Sequence, residues 1–256
     1  MIVLISPAKK QNFSTDWKVK PSTSPILFPE KTHKLVQSIR QFSTQGLKSI
    51  LKVSADLATI NHNRFQNFPK NIETPESAVL AYQGDVYRYM NRESWNQEDM
   101  RRASERLVII SGLYGCLRAD TGIAPYRLEM ANKLPFIDKS LQDFWKEDIT
   151  QYINKMAEEN NHQFILNLAS KEYSQAIDRN NIDIPVIDID FLEPGINGKL
   201  RTVAVSAKRA RGDLTGMCMR EHELTIELIK KMVPLGYRYN DNLSAKDALA
   251  FVKEAT

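Results

Sequence analysis

Five short apolar runs punctuate the chain, at Ile2–Ile5, 107–110, 164–168, 186–192 and 200–205. Runs of this length bounded by polar residues read as strands. The first three are apolar almost without interruption, the pattern of strands covered on both faces. The last two flank "EPGING", 193–198, whose Asn197-Gly198 pair signals a hairpin turn, so they are expected to pair antiparallel.

Helical periodicity fills the intervals. Segments 31–42 and 47–65 carry apolar residues at helical spacing, the second broken near Ser54–Asp56. Thr74 followed by Pro75 reads as an N-cap with proline at the first helical position, opening a helix to about Met90. Ser94 and Gln97 have capping-box spacing for a helix ending near Arg106. From Ser140 onward, Leu141, Phe144, Trp145, Ile149, Tyr152 and Met156 form one apolar stripe, read as core. Segments 214–232 and 244–254 complete the set. "VKPSTSPILFPEK", 19–31, reads as an extended loop and no repeat appears. Strands alternating with helices give an α/β (mixed α+β) class, with a central mixed sheet, a hairpin toward the C-terminal side and surrounding helices. The expectation is one domain, 1–256.

Composition narrows this little. The 256 residues are 42% hydrophobic and 26% charged, ordinary for a soluble protein with a full core. No apolar run reaches the roughly 20 residues that cross a bilayer, and "MIVLIS" is too short for a signal peptide. Two cysteines make no disulfide framework, so a cytoplasmic location is expected. Net charge is only +4, but 199–220 holds six cations against one anion, Asp213. "VAVSAKRARGD", 203–213, reads as a strand running into Lys208, Arg209 and Arg211. Such a cluster is either a solvated face or a surface for phosphate.

Four strand runs end on serine: Ser6, Ser111, Ser170 and Ser206, each followed by charge. Ligands of open α/β sheets bind beyond the carboxyl ends of the strands. Of the two antiparallel runs only one can point there, and the second, leading into the cations, is the expected one. "SGLYGCLRADTGIAPYRLEM", 111–130, adds Tyr114, Arg118, Tyr126, Arg127 and Glu129. Tyrosine and arginine suit base stacking and phosphate contact. The alternative, an Arg127–Glu129 pair that merely holds a loop, stays open.

"ISPAK" at 5–9, "GDVY" at 84–87, "ISGLYG" at 110–115, "PYRLEM" at 125–130, "NLAS" at 167–170 and "AKRARG" at 207–212 resemble the bacterial YaaA peroxide-stress family. The resemblance implies a cytoplasmic protein of the response to hydrogen peroxide that limits free intracellular iron. It also implies binding of DNA through a helix-hairpin-helix and a basic cleft. Lys9, Gly84, Asp85, Tyr87, Ser111, Tyr114, Arg118, Tyr126, Arg127, Glu129, Ser170, Lys208 and Arg211 fall on its motif positions. Two positions depart from the family pattern: Ala119 stands for a proline and Lys171 for an acid.

For the hairpin, "LKVSADLATINHNRF", 51–65, reads as helix, turn, helix with the turn at 57–61; Thr59 replaces the glycine such turns favour. Asn61, His62 and Arg64 are phosphate donors under that reading, and a purely structural hairpin is the other. Cys218 and His222 share a face of the expected 214–232 helix, with Glu221 and Glu223 nearby. Two ligands do not make a metal site. Cys116 reads as a small core residue. The expected phosphate contacts are Lys9, Asn61, Arg64, Tyr114, Arg118, Tyr126, Arg127, Ser170, Lys208, Arg209 and Arg211. The expected partner is duplex DNA bound without sequence preference, with a small phosphorylated or nucleobase ligand as a further candidate. No metal, cofactor or membrane is expected, and the chain is read as a monomer. Catalysis is the alternative: Asp85, Glu129 and Lys9 are candidates for work on a nucleotide, nucleobase or glycosidic bond.

Overall fold

Hydrophobic runs without a polar face need cover on both sides, and the central sheet supplies it. The computed structural model describes residues 1–13, 16–68, 75–195 and 198–253. At its centre β1 (Ile2–Ile5) lies between β5 (Leu107–Ser111) and β8 (Ile165–Asn167), parallel to both. Every residue of these three strands is buried. β9 (Val186–Pro194) continues the sheet parallel to β8, and β12 (Ala248–Lys253) parallel to β9. Antiparallel strands close both edges: β6 (Gly115–Arg118) on β5, and β11 (Tyr237–Tyr239) on β12. The result is a mixed sheet among helices, as the alternation of elements predicts.

The longest helix, α7 (Leu141–Glu159), starts at Ser140, whose hydroxyl accepts from the Asp143 amide. Leu141, Trp145, Ile149 and Met156 of the expected stripe are buried, while Phe144 and Tyr152 are partly so. Trp145 donates its Nε1–H to the Gly112 carbonyl at 3.0 Å. This ties α7 to the turn between β5 and β6.

The structure corrects several expectations. The hairpin forms, with β10 antiparallel to the end of β9, but β10 is only Leu200–Arg201 and Asn197 lies outside the described residues. From Ala204 the chain is helical, as α9 (Ala204–Arg220). The "VAV" run is therefore a helix start, because Ala207, Ala210 and Leu214 on one side of it are buried. α9 ends at Arg220, and Thr225 caps a separate α10 (Ile226–Lys231) through the Leu228 amide. Residues 248–253 are the strand β12, not a helix: pairing with β9 outweighs the helical propensity of Ala and Leu.

The helix expected over 74–90 is four short pieces. β3 (Glu76–Ser77) is followed by α4 (Ala78–Ala81), β4 (Tyr82–Gln83) and α5 (Asp85–Tyr89); Thr74 lies outside the described residues. Gly84 breaks the run with φ of +128°, a conformation glycine adopts freely. Buried Arg92 then gathers the pieces: its guanidinium donates to the carbonyls of Val79, Leu80, Tyr82 and Tyr87. The capping box of α6 (Gln97–Arg106) is Asn96 with Asp99, two residues on from the expected Ser94 and Gln97. Ser94 bonds back to Asn91 instead.

The helical hairpin is α2 (Thr44–Leu51) and α3 (Ala55–Asn67), broken close to the expected Ser54–Asp56. The turn is not at 57–61, which is mid-helix, with Thr59 bonded to the Ala55 carbonyl. It lies at 52–54, where Lys52 adopts the left-handed conformation with φ of +52°.

Candidate functional site

Because β1 and β8 are parallel neighbours, their carboxyl ends emerge side by side. Ser6 follows one and Ser170 the other. The Ser170 amide donates to Ser6 Oγ at 2.9 Å, and the two hydroxyls lie 3.2 Å apart. Asn167, the last residue of β8, shapes this loop by accepting from the Ala169 amide and donating to Asp188. Burial pushes the Asp188 carboxyl up, but hydrogen bonds from Arg179 and Asn167 outweigh it and hold the group below its usual range. α5 is fastened to the same edge by Tyr87, whose hydroxyl donates to the Ser6 carbonyl at 2.9 Å.

These elements enclose a cleft of about 350 Å³. Ser6, Lys9 and Lys10 line it from the β1 side, Gly84, Asp85 and Tyr87 from α5, and Ser170, Glu172 and Tyr173 from the β8 side. Lys208 and Arg211 form its fourth wall, from α9. Correcting the expectation, it is β9 of the antiparallel pair that runs parallel with β1 and β8; the cations arrive on a helix. Arg102 and Arg106 of α6 fix the far end of that helix, donating to the Met219, Glu221 and His222 carbonyls.

Charge in the cleft divides into spent and free groups. Glu129 bridges two cations: Lys9 Nζ is 2.7 Å from Oε2, and Arg127 donates twice to Oε1, at 3.0 and 2.8 Å. The Arg127–Glu129 pair of the loop-holding alternative thus forms, and it lies at the rim of the cleft. Glu172 accepts from the Ala131 amide at 3.0 Å. Among the described residues Asp85, Lys208 and Arg211 side chains have no ion pair or hydrogen bond. Arg211 Nε is enclosed without an acceptor. Burial depresses the Arg211 pKa, against the pull of Asp190 and Asp188. An enclosed, unmatched guanidinium N–H beside a free ammonium suits an oxyanion. Asp85 suits a donor on the same ligand.

Of the residues read as functional from sequence, Lys9, Asp85, Glu129, Ser170, Lys208 and Arg211 converge on the cleft. Tyr126 and Arg127 line a shallow recess beside it, with Lys9, Glu129 and Tyr173. Tyr126 is itself buried, its hydroxyl between those of Tyr82 at 2.6 Å and Ser111 at 2.7 Å, and burial pushes its phenol up to about 12. The others lie apart from the cleft. Tyr114 is wholly buried, its hydroxyl paired with the Ala124 backbone. Arg118 sits on edge strand β6 in a two-point pair with Asp120. Arg209 is exposed over the Tyr89 ring. Asn61 is buried in α3, bonded to the Leu57 carbonyl and to Arg64.

Three features were not read from sequence. Tyr173 lines the cleft, and burial drives its phenol pKa up. Arg92 organises α4 and α5. Gly212 and Gly216, four apart, let α9 touch α5; their spacing was the available signal. Cys218 lies buried in α9, and His222 falls beyond the helix end, so they share no face. Among the described residues no three His, Cys, Asp or Glu side chains form a metal-sized group, and no helix is long and apolar enough to cross a membrane.

The fold and cleft define an α/β protein with a charged pocket at the carboxyl edge of its sheet. Residues 1–243 match the family of the peroxide stress protein YaaA. The chain is 38% identical over 253 residues to a UPF0246 protein of Rickettsia bellii, covering 99% of this chain and 100% of that one. It is 37% identical over 254 residues to a UPF0246 protein of Crocosphaera subtropica, with the same coverage. The chain belongs to the YaaA peroxide-stress family, which supports a role in the response to oxidative stress.

Proposed function

We propose that this protein acts in peroxide defence by binding DNA through backbone phosphate, without reading sequence, at the cleft walled by α9. The observation that supports it best is the pair Lys208 and Arg211, unpaired cations beside the Ser6 and Ser170 hydroxyls. Phosphate contacts of this kind position a nucleic acid but carry no sequence information. Arg209, one residue on, extends the cationic surface outward. Limitation of iron damage follows indirectly, by covering DNA where iron and peroxide would attack it. The test is a salt titration of duplex binding. Affinity should fall steeply with salt, and Lys208→Ala and Arg211→Ala should each weaken binding and reduce the slope by about one. A flat salt response, or variants that bind as wild type, overturns the proposal.

A second reading has its own observation: Asp85 is a free carboxylate in the same cleft. In that reading the pocket processes a nucleotide or nucleobase, with Asp85 as general base. Asp85→Asn would then abolish turnover in a metabolite screen while DNA affinity stays; a screen without turnover removes this reading.

A further inference from the structure

The cleft holds charges of opposite sign that do not neutralise each other. Lys208 and Arg211 stand three apart on α9, so their side chains leave the same side of that helix. Asp85 opens α5, which packs against α9. All three line one cleft of about 350 Å³, yet among the described residues Asp85 pairs with neither cation. Asp85 and Arg211 are half-buried and Lys208 is exposed, so each keeps accessible surface. The terminal nitrogens of Arg211, unlike its Nε, are not enclosed.

Contact with a DNA backbone accounts for the two cations but not for the carboxylate. An unpaired carboxylate repels phosphate. A duplex carries its phosphates on the outside, so it presses on a rim and does not fill a pocket. About 350 Å³ is the size of a small-molecule site. Asp85 brings two acceptor oxygens to it and calls for donors on the ligand. Only one hydroxyl proton lies between Ser6 and Ser170, which leaves the other free to donate to an oxyanion. The cleft thus has an anion end and an acceptor end.

We propose that the cleft binds a ribosyl phosphate monoester, free or as a ribonucleotide, with its phosphate at Lys208, Arg211 and Ser170 and its ribose hydroxyls at Asp85. The proposal rests on the phosphate role given above to Lys208 and Arg211, and names the molecule that fills the pocket behind them. A phosphate monoester carries about −1.5 to −2 charge at neutral pH, which matches two cations. Neighbouring ribose hydroxyls donate together to one carboxylate, as the ribose 2′-hydroxyl does to an acidic residue in dinucleotide sites. Deoxyribose lacks that hydroxyl, so Asp85 discriminates against the sugar of DNA itself. A duplex meets the cationic lip of α9, and a ribosyl phosphate enters behind it.

Titration calorimetry of the intact protein tests this with ribose 5-phosphate, its 2-deoxy counterpart, inorganic phosphate and adenosine monophosphate. Ribose 5-phosphate should bind roughly tenfold tighter than the deoxy sugar, the loss of one hydrogen bond to a charged group, and inorganic phosphate should bind more weakly than either. Adenosine monophosphate separates the two sources. Tighter binding than ribose 5-phosphate assigns the cleft to a ribonucleotide, and weaker binding assigns it to the free sugar phosphate. Asp85→Ala, whose wild-type side chain makes no bond within the described fold, should erase the ribose preference while duplex affinity holds or rises. Lys208→Ala should weaken both sugar phosphates alike. Equal affinities for the two sugar phosphates, or binding of neither, overturn the proposal, and duplex binding by the same preparation then keeps the DNA reading. A protein that binds ribose 5-phosphate and ignores duplex upholds the proposal and removes the DNA reading.

Discussion

Gly212 of α9 lies so close to Val86 of α5 that a Cβ on the glycine would fall 2.1 Å from the Val86 carbonyl oxygen. One turn further along, Gly216 stands in the same relation to Met90, at 2.2 Å. The two backbones touch because neither glycine has a side chain. Lys208 and Arg211 lie in the turn before Gly212, and Asp85 immediately precedes Val86. The contact therefore sets the distance between the cleft's free cations and its free carboxylate.

Gly212→Ala should break this arrangement. Alanine adds about 1 kcal/mol of helix propensity, but the methyl group meets a backbone carbonyl that cannot swing aside. The helices must part, and overpacking of this kind costs about 1–3 kcal/mol or more. Urea unfolding should show a net loss, and DNA affinity should fall although no cation has been removed. An alanine variant as stable as wild type would show that the helices have room to spare.

That contact also marks where sequence reading stopped. β1, β5 and β8 were legible because strands buried on both faces leave unbroken apolar runs. Residues 203–205 and 248–253 were not. Three apolar residues fit a strand or the first turn of a helix equally well, and "ALAFVK" becomes a strand only because β9 lies beside it. In the site, the α9 cations were visible as a local excess of charge, and Lys9 and Ser170 as polar ends of strands. Tyr114 was misplaced because a tyrosine in a glycine-rich segment looks the same whether it faces a ligand or the core. The approach of Trp17 to Arg92 has no trace in sequence, being made wholly by tertiary packing.

Glu129 holds Lys9 and Arg127 together, so its neutral isostere should release both. Under the DNA reading, Glu129→Gln should raise affinity at low salt and steepen the salt dependence by about one phosphate equivalent. The measurement is the same titration used for Lys208. Weaker binding would instead mean that Glu129 contributes mainly by fixing the rim loop.

The thiols should be silent toward peroxide. Burial pushes Cys218 up to about 12, and Cys116 is driven up further for the same reason. Only thiolates react readily. Ellman's reagent should find no reactive thiol in the folded protein and both after unfolding, and mass spectrometry should find no oxidised cysteine after exposure to peroxide while folded. A rapidly reacting thiol in the native state would reopen a sensing role for it.

Stability should fall in mild acid through His162. Its Nε2 lies 2.9 Å from the Glu105 carbonyl and its Nδ1 3.0 Å from the Met1 amino group. With the proton on Nε2, both nitrogens are satisfied and the ring is neutral. A second proton would face the Met1 ammonium. Burial, followed by that ammonium and opposed by the Glu105 carbonyl, lowers the His162 pKa in the folded state below its ordinary 6.5. The unfolded chain then binds more protons in the window just beneath 6.5, so unfolding is favoured there. The stabilising contribution is complete above the unfolded value and is lost as pH drops through the folded one. His162→Gln keeps a donor and an acceptor but does not titrate. Its urea midpoint should therefore change less than wild type between about pH 7.5 and 5; the carboxylates, and the Met1 amino group whose own pKa burial lowers to about 6, titrate in both proteins. Identical slopes for the two proteins would mean that His162 carries no part of the acid sensitivity.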